Sequence, residues 1–585
     1  MTTPAPSAPA PKLRTAPQPA QAPAEREGFR QAMAWLHTWA GLVLGWLLFA
    51  IFLTGTLSFF RAEFSQWMRP ELHGLPPADA QVADKALAAL QREVPDVTQW
   101  ILRLPDERQR PVSLLWRSAA QPRFEALLMH PQTGEKLAAR DTMGGDFFYR
   151  FHYELRTASK GRWAVEGRWV VGGATLLMFI ALLTGIVTHR RIFKDFFTFR
   201  PGKGGQRAWL DAHNVTGVLV LPFYLLITFS GLMIFHTLYM SAGIAAAYPG
   251  AKGGAGTDTQ AYFADLQGEQ PGRRARRQPG DQVEPLPPLV LAPLLATASA
   301  HWDGGRLGAI EARRDATGRA VVQISRHESD RLQYRPARLL LDAATGQVLE
   351  QADPASPALK TYGVLYGLHM ARFASPGLRW TLLGLGLMGS LMIATGLVLW
   401  SVKRRSQALR KNASARLSHG ERLVASLNMA TLAGLPLACG VLLAANRLLP
   451  LATPNRPDAE LAWFFGAWGC ALLAALLCPR RQGWAVLLAL AGAVWAALPL
   501  LNALTSSAHL GVTLPASDWT WAGMDLAFLA VGALLGTLAW RLWPPAVRPR
   551  TAAAPWARAR SSGMATPPAL PAPSPVRHPL PGLNP

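Results

Sequence analysis

The chain has 585 residues, 50% of them hydrophobic and 16% charged, which is too long for one ordinary domain and too apolar for a wholly soluble protein. Its net charge of +23 would suit a nucleic-acid partner, but the basic side chains collect in short connections between apolar runs, and no soluble stretch interleaves them with aromatics, so that class is set aside. Three cysteines, Cys439, Cys470 and Cys478, all lie in or beside apolar runs, which leaves no disulfide framework and no CxxC metal site.

Residues 1–28 are rich in Pro and Ala without an apolar core and read as a disordered tail rather than a signal peptide. A first transmembrane helix is expected within 29–62 and a second within 163–190, separated by an insert at 63–162. A basic loop at 191–210 leads to a third span in 211–240. A second insert at 241–375 precedes a fourth span in 376–402 and another basic loop at 403–422. Four further spans, near 423–445, 461–478, 484–503 and 521–542, form a C-terminal membrane appendix over 423–543, followed by a Pro-rich tail at 544–585. Every second connection is short and strongly basic, which predicts both termini in the cytoplasm and both inserts outside, as in a multi-pass membrane protein.

Each insert alternates apolar and polar residues in runs such as "RPVSLLWR" and "RAVVQISR", a strand pattern. Each also holds a Thr-Gly turn between such runs, in "ALLMHPQTGEKLA" (126–138) and "LLLDAATGQVLE" (339–350). The fold expected is therefore an α-helical integral membrane protein of about eight transmembrane helices with two α+β inserts. Residues 30–405 form a parallel internal repeat of helix, insert and helix. The basic stretch "GRRARRQPG" (272–280) in the second insert reads as a solvated loop.

The repeat carries histidines at two depths. "WLHTWAG" and "LDAHNVTG" place His37 four residues before Gly41, and His213 four residues before Gly217. Gly55 and Gly231 follow 18 residues after each histidine, which brings them back to the same helix face at 100° per residue. Such a stripe lets a neighbouring helix or a flat cofactor approach the backbone. His189 joins His37 and His213 at the cytoplasmic end, while His152 and His369 stand just before spans two and four on the other side. Ionisable residues at membrane depth are costly and are functional candidates by default.

Zinc would call for clustered carboxylates or thiolates, which the spans lack. Haem needs one or two axial imidazoles, an apolar slot, and cations for its propionates. Arg190 and Arg191 are candidates for that last role inside, and Arg156, Arg168 and Arg372 outside. Without a CxxCH motif any haem is non-covalent, hence haem b, with one near each leaflet.

The stretches "HTWAGLVLGWLLFAIFLTG", "FHYEL", "LLTGIVTHRRIFKDFFTFRP", "LDAHNVTGVLVLPFYLLITFSG" and "LHMARF…IATGLVLWSVKRR" resemble the PepSY-associated transmembrane proteins, and the two Thr-Gly hairpins resemble their PepSY element. The resemblance spans roughly residues 30–405. It implies an iron-regulated inner-membrane protein that takes electrons from a cytoplasmic or membrane donor. Two b-type haems would pass them to a periplasmic ferric chelate such as a ferric siderophore. It carries over His37, His189 and His213 as inner candidates, one more than a single haem requires, and His152 and His369 as outer ones. A non-enzymatic scaffold binding a periplasmic protein and a proton-coupled transporter remain as alternatives. "GKGG" (202–205) lacks the strand–GxGxxG–helix setting of a dinucleotide site, so no built-in NAD or flavin domain is expected.

Overall fold

The computed structural model describes residues 28–156, 166–188, 205–249, 258–266, 284–315, 317–352 and 356–543. His189, Arg190, Arg191, the stretch 272–280 and nearly all of both tails lie outside the described residues. Seven helical stretches among the described residues are long and apolar enough to cross a membrane, and a bent pair makes an eighth span.

The first span is α1 (Phe29–Leu57), continued after one 3-10 turn by α2 (Arg61–Trp67). Span two is α5 (Gly167–Thr188), preceded by the short α4 (Asp146–Glu154). Span three is broken: α6 (Gly205–Leu219) and α7 (Leu221–Ile234) meet at 66°. The sequence suggests one continuous helix here, but Pro222 in the first turn of α7 removes a backbone donor and clashes with the turn before it. The Tyr224 hydroxyl, fully buried, donates to the carbonyl of Thr216 across the break (3.0 Å), so that carbonyl is satisfied within the membrane. Span four is α10 (Pro376–Lys411), entered from α9 (Pro357–Met370). These four spans form a ring in which α1 packs on α5 and α10, α6 on α10, and α7 on α5.

The two inserts build one sheet. The first supplies β1 (Val97–Arg103), β2 (Val112–Ser118) and β3 (Glu125–Met129), and the second supplies β4 (Leu307–Arg314), β5 (Ala320–Arg326), β6 (Arg338–Asp342) and β7 (Val348–Ala352). The order is β3-β2-β1-β4-β5-β6-β7, antiparallel throughout. The seam between inserts is β1 against β4, with Trp100 opposite Ala312 and Leu102 opposite Ile310. Alternation puts Trp100, Leu102, Val112, Leu114, Ile310, Val322 and Ile324 on one face. The amphipathic helices α3 (Val82–Glu93) and α8 (Leu291–His301) cover that face with Ala86, Leu87 and Leu90, and with Leu291, Leu294 and Ala298. Gly134 and Gly346 hold φ of +71° and +72° in the two Thr-Gly turns. At Gly134 a side chain would also strike the backbone of Lys85 at 2.7 Å, so glycine is required there twice over.

The C-terminal spans are α11 (His419–Leu432) with α12 (Gly434–Leu448), then α13 (Arg456–Leu477), α14 (Arg481–Thr505) and α15 (Trp519–Leu542). They share one hydrophobic core with the repeat. Buried Asn428 ties α11 to the ring: it accepts from Trp46 Nε1 (2.8 Å) and donates to Ser401 Oγ (3.1 Å).

Candidate functional site

Four of the five candidate histidines come together as two pairs. His37 on α1 and His213 on α6 have ring centroids 6.2 Å apart, inclined at 65°. His152 on α4 and His369 on α9 have centroids 6.1 Å apart, inclined at 31°. The second pair lies on the sheet side of the ring of spans; the first is distal to it. Along α1, the 14 residues from His37 to Ile51, where His152 rests, rise about 21 Å at 1.5 Å per residue.

Three of the four rings are held the same way, and the fourth nearly so. Nδ1 of His37 meets the carbonyl of Ala181 at 2.8 Å, that of His152 the carbonyl of Ile51 at 2.8 Å, and that of His213 the carbonyl of Met392 at 2.9 Å. His369 Nδ1 faces Ser230 Oγ at 3.0 Å, with the ring beside the backbone of Ile227. A carbonyl only accepts, so Nδ1 carries the proton and Nε2 carries the lone pair; at His369 the Ser230 hydroxyl, already donating to the Leu226 carbonyl (2.6 Å), also acts as acceptor. A donor bond on one imidazole nitrogen is the arrangement that fixes the tautomer of a metal-ligating histidine.

The four carbonyls stand in one sequence relation. Ile51, Ala181, Ile227 and Met392 each lie four residues before a glycine: Gly55, Gly185, Gly231 and Gly396. In a helix the side chain at i+4 lies over the turn holding carbonyl i, so glycine uncovers that oxygen for a second donor. An added Cβ would lie 2.5 Å from His152 Nδ1 at Gly55, and 3.2, 3.0 and 3.1 Å from Cε1 of His37, His369 and His213 at Gly185, Gly231 and Gly396. The residue before each glycine is Thr or Ser. Its hydroxyl bonds back to the same carbonyl: Thr54 to Ile51 (3.3 Å), Thr184 to Ala181 (3.0 Å), Ser230 to Ile227 (3.3 Å) and Thr395 to Met392 (2.9 Å). The hydroxyl–glycine dipeptide, repeated in all four spans, is thus a seat for an imidazole arriving from a neighbouring helix.

Gly55 and Gly231 therefore receive histidine rings directly. Gly41 has no atom within 4 Å of a would-be Cβ, and Gly217 meets Met392 alone, Sδ at 3.6 Å and Cγ at 3.8 Å. Arg372 pairs with Glu328 and lies 4.7 Å over the Tyr334 ring. Arg156 turns instead to Met143 Sδ (3.0 Å) and Asp458 (3.9 Å), and Arg168 to Glu166 (3.1 Å) and Glu154 (3.4 Å). His236 has its nitrogens on the Met233 carbonyl and the Tyr262 hydroxyl, both at 3.0 Å.

A cavity of about 910 Å³ joins the sheet-side pair to the underside of the sheet. Its floor is His152, His369, Gly55, Gly231, Phe52 and Ile227; its roof is Arg103, Ser113 and Leu128 of the first insert. Around its walls stand Arg61, Arg69, Arg108, Arg140 and Arg372, with Tyr149, Tyr334 and Tyr366. Most of these cations have acidic partners: Arg61 with Asp146, Arg108 with Glu63, Arg140 with Glu71. Arg69 instead donates to the carbonyls of Ser65 (3.4 Å) and Thr142 (3.3 Å). The tyrosines stack closely, Tyr334 on Tyr366 at 3.6 Å and 7°. None of these wall residues except Arg372 stands out in the sequence, because they come from three helices and from five positions in the connections between elements.

Each histidine pair has the spacing to hold one metal. Two imidazole nitrogens at about 2 Å on opposite sides of a metal, each with its ring centre roughly 1 Å further out, set the centres about 6 Å apart. The observed 6.2 and 6.1 Å agree. Among the described residues no group of three or more His, Cys, Asp or Glu is placed to hold a metal ion, and within those residues each pair offers two imidazoles, the number that bis-histidine haem iron takes.

An uncharacterized protein of Pseudomonas aeruginosa is 29% identical to this chain over 424 residues, covering 69% of this chain and 97% of that one. Residues 34–403, which contain both histidine pairs and both inserts, match the family described as the PepSY-associated TM region. The chain is a multi-pass membrane protein and belongs to the PepSY-associated transmembrane family.

Proposed function

We propose that this chain is a b-type dihaem electron carrier of the inner membrane that reduces a ferric chelate, such as a ferric siderophore, in the cavity beneath the sheet. The observation that carries this reading is the pair of ring separations, 6.2 and 6.1 Å, with Nδ1 of every ring held by the neighbouring helix. The basic connections 191–210 and 403–422 argue for the distal pair at the cytoplasmic face and for the inserts in the periplasm.

Bound haem would supply one-electron redox chemistry at two depths of the bilayer. His37 and His213 would hold the distal group, and His152 and His369 the sheet-side group. The four hydroxyl–glycine seats keep the rings oriented and their protons on Nδ1, so Nε2 would be the nitrogen to hold iron, at no cost in proton release. In the cavity, the arginines and the tyrosine stack would orient an Fe(III) chelate over the floor. One electron from a cytoplasmic or membrane donor converts Fe(III) to Fe(II), which hard oxygen chelators hold less tightly.

The test is the absorption spectrum of purified protein expressed with ample haem precursor, with stoichiometry from the pyridine haemochrome. The expected result is two haems per chain, reduced by dithionite and re-oxidised by a ferric siderophore. A folded but colourless protein would overturn the reading and favour a scaffold that binds a periplasmic protein.

A further inference from the structure

The four C-terminal spans supply none of the paired histidines, yet they grip one of the two helices that present the sheet-side pair. On α4, His152 is preceded by Phe147, Phe148 and Phe151, which are at most 4% exposed. Phe147 lies 4.7 Å from Phe464 of α13, and Phe151 lies 5.9 Å from Phe464 and 6.2 Å from Trp468. Polar contacts hold the approach to α4: Thr142 donates to Glu460 (2.6 Å), and Arg140 donates to the Asn446 carbonyl (2.7 Å). Glu460 is fully buried and also accepts from Asn446 (2.7 Å).

The matching helix α9, which presents His369, is backed differently. Gly363 and Gly367 stand on it, and the second insert packs its own backbone there. The Tyr334 amide donates to the Gly363 carbonyl (3.0 Å), and a Cβ on Gly367 would overlap the carbonyl of Leu332. The two halves of the repeat thus support equivalent histidines from unlike sources, the C-terminal spans for His152 and the insert itself for His369.

We infer that the C-terminal spans are a brace that fixes His152, with Phe464 and Glu460 as positioning residues that tune the sheet-side site without touching it. The redox part of this inference rests on the haem reading above; the mechanical part does not. Phe464→Ala and Glu460→Gln, made in the full chain, are read in two ways. Without haem, hydrogen exchange of the amides of 146–154 is expected to quicken at least tenfold in Phe464→Ala, while 357–370 stays as in the parent. With haem, the sheet-side signal is expected to shift in midpoint potential and in its low-spin electron paramagnetic resonance, while the distal signal stays put. Leu473→Ala, on the exposed side of α13, is expected to leave both readouts unchanged. Equal quickening of 146–154 and 357–370, no quickening at all, or equal shifts of both haem signals would overturn the brace. Should Phe464→Ala fail to fold, Phe464→Leu removes the ring contacts at similar bulk and is judged by the same outcomes. A colourless parent would sink the haem reading alone, and the exchange result would still decide the brace.

Discussion

Replacing Gly55 by alanine is a sharp test of the seats. The new Cβ would lie 2.5 Å from His152 Nδ1 and 2.7 Å from Cε1. Ordinary non-bonded contact begins near about 3.5 Å, so the ring must retreat roughly 1 Å. The 2.8 Å bond from Nδ1 to the Ile51 carbonyl then stretches beyond hydrogen-bonding range. A buried donor left without its partner costs about 1–3 kcal/mol, and at 1.4 kcal/mol per decade this would weaken the hold of His152 on a proposed haem about 5- to 150-fold. Gly41→Ala, on the same helix and the same stripe, meets nothing within 4 Å and should leave haem binding intact. The assay is haem stoichiometry with a redox titration of each variant. Gly55→Ala should lose or shift the sheet-side haem alone. If Gly41→Ala is as damaging as Gly55→Ala, or if Gly55→Ala keeps a normal sheet-side haem, the seat argument is wrong.

His37→Ala or His213→Ala should remove the distal signal and His152→Ala or His369→Ala the sheet-side signal, each leaving about half the haem absorbance if the two sites bind independently. Leu102→Ala and Ile310→Ala, both fully buried at the seam of the sheet, should each destabilise it by about 2–5 kcal/mol. Because β1 and β4 share that seam, either change should loosen hydrogen exchange in both inserts. Glu63→Gln leaves the side chains of Arg108 and Arg379 without their shared carboxylate, a loss of about 3–5 kcal/mol for a buried pair, read as faster proteolysis at the β1–β2 connection. His327 Nε2 contacts Asp106 Oδ2 at 3.2 Å, joining the two inserts at their membrane-facing turns. Burial would raise the Asp106 pKa, but hydrogen bonds from His327 and from the amides of Gln109 and Arg108 outweigh it and hold the carboxyl below its usual value. A depressed carboxylate contributes stability above its unfolded pKa of about 4 and loses it as the pH falls through the folded value. Pepsin should therefore attack these turns progressively below about pH 4 in the parent, and Asp106→Asn should flatten that dependence.

The two depths of histidine were legible from sequence because helical periodicity and repeat register are local properties, whereas the choice among the three inner candidates was not. The same periodicity put Gly41 and Gly55 on one stripe, yet only Gly55 receives a ring. A helix face is readable from spacing, whereas the neighbour that fills it is not. Gly185 and Gly396 carried the same signal, a hydroxyl residue before glycine, and acquire meaning only once His37 and His213 are seen to rest on them. Pro222 marked the break in span three, but a hydropathy window averages over it. The strands of each insert followed from alternation and from their Thr-Gly turns. Their union into one sheet did not, since Ile101 pairs with Glu311 across a stretch that includes two spans. The buried polar residues of the C-terminal spans, such as Glu460, look anomalous in an apolar run until Thr142 arrives from the first insert.

That seam between β1 and β4 has a consequence for biogenesis. When the first insert emerges, β1 has β2 on one side and a bare row of amides and carbonyls on the other. Its partner is encoded 210 residues further on, from Ile101 to Glu311. At about 5–20 residues per second, the ribosome needs roughly 10–40 s to deliver it. Through that interval the half-sheet waits as a sticky nascent edge, a natural client for a chaperone.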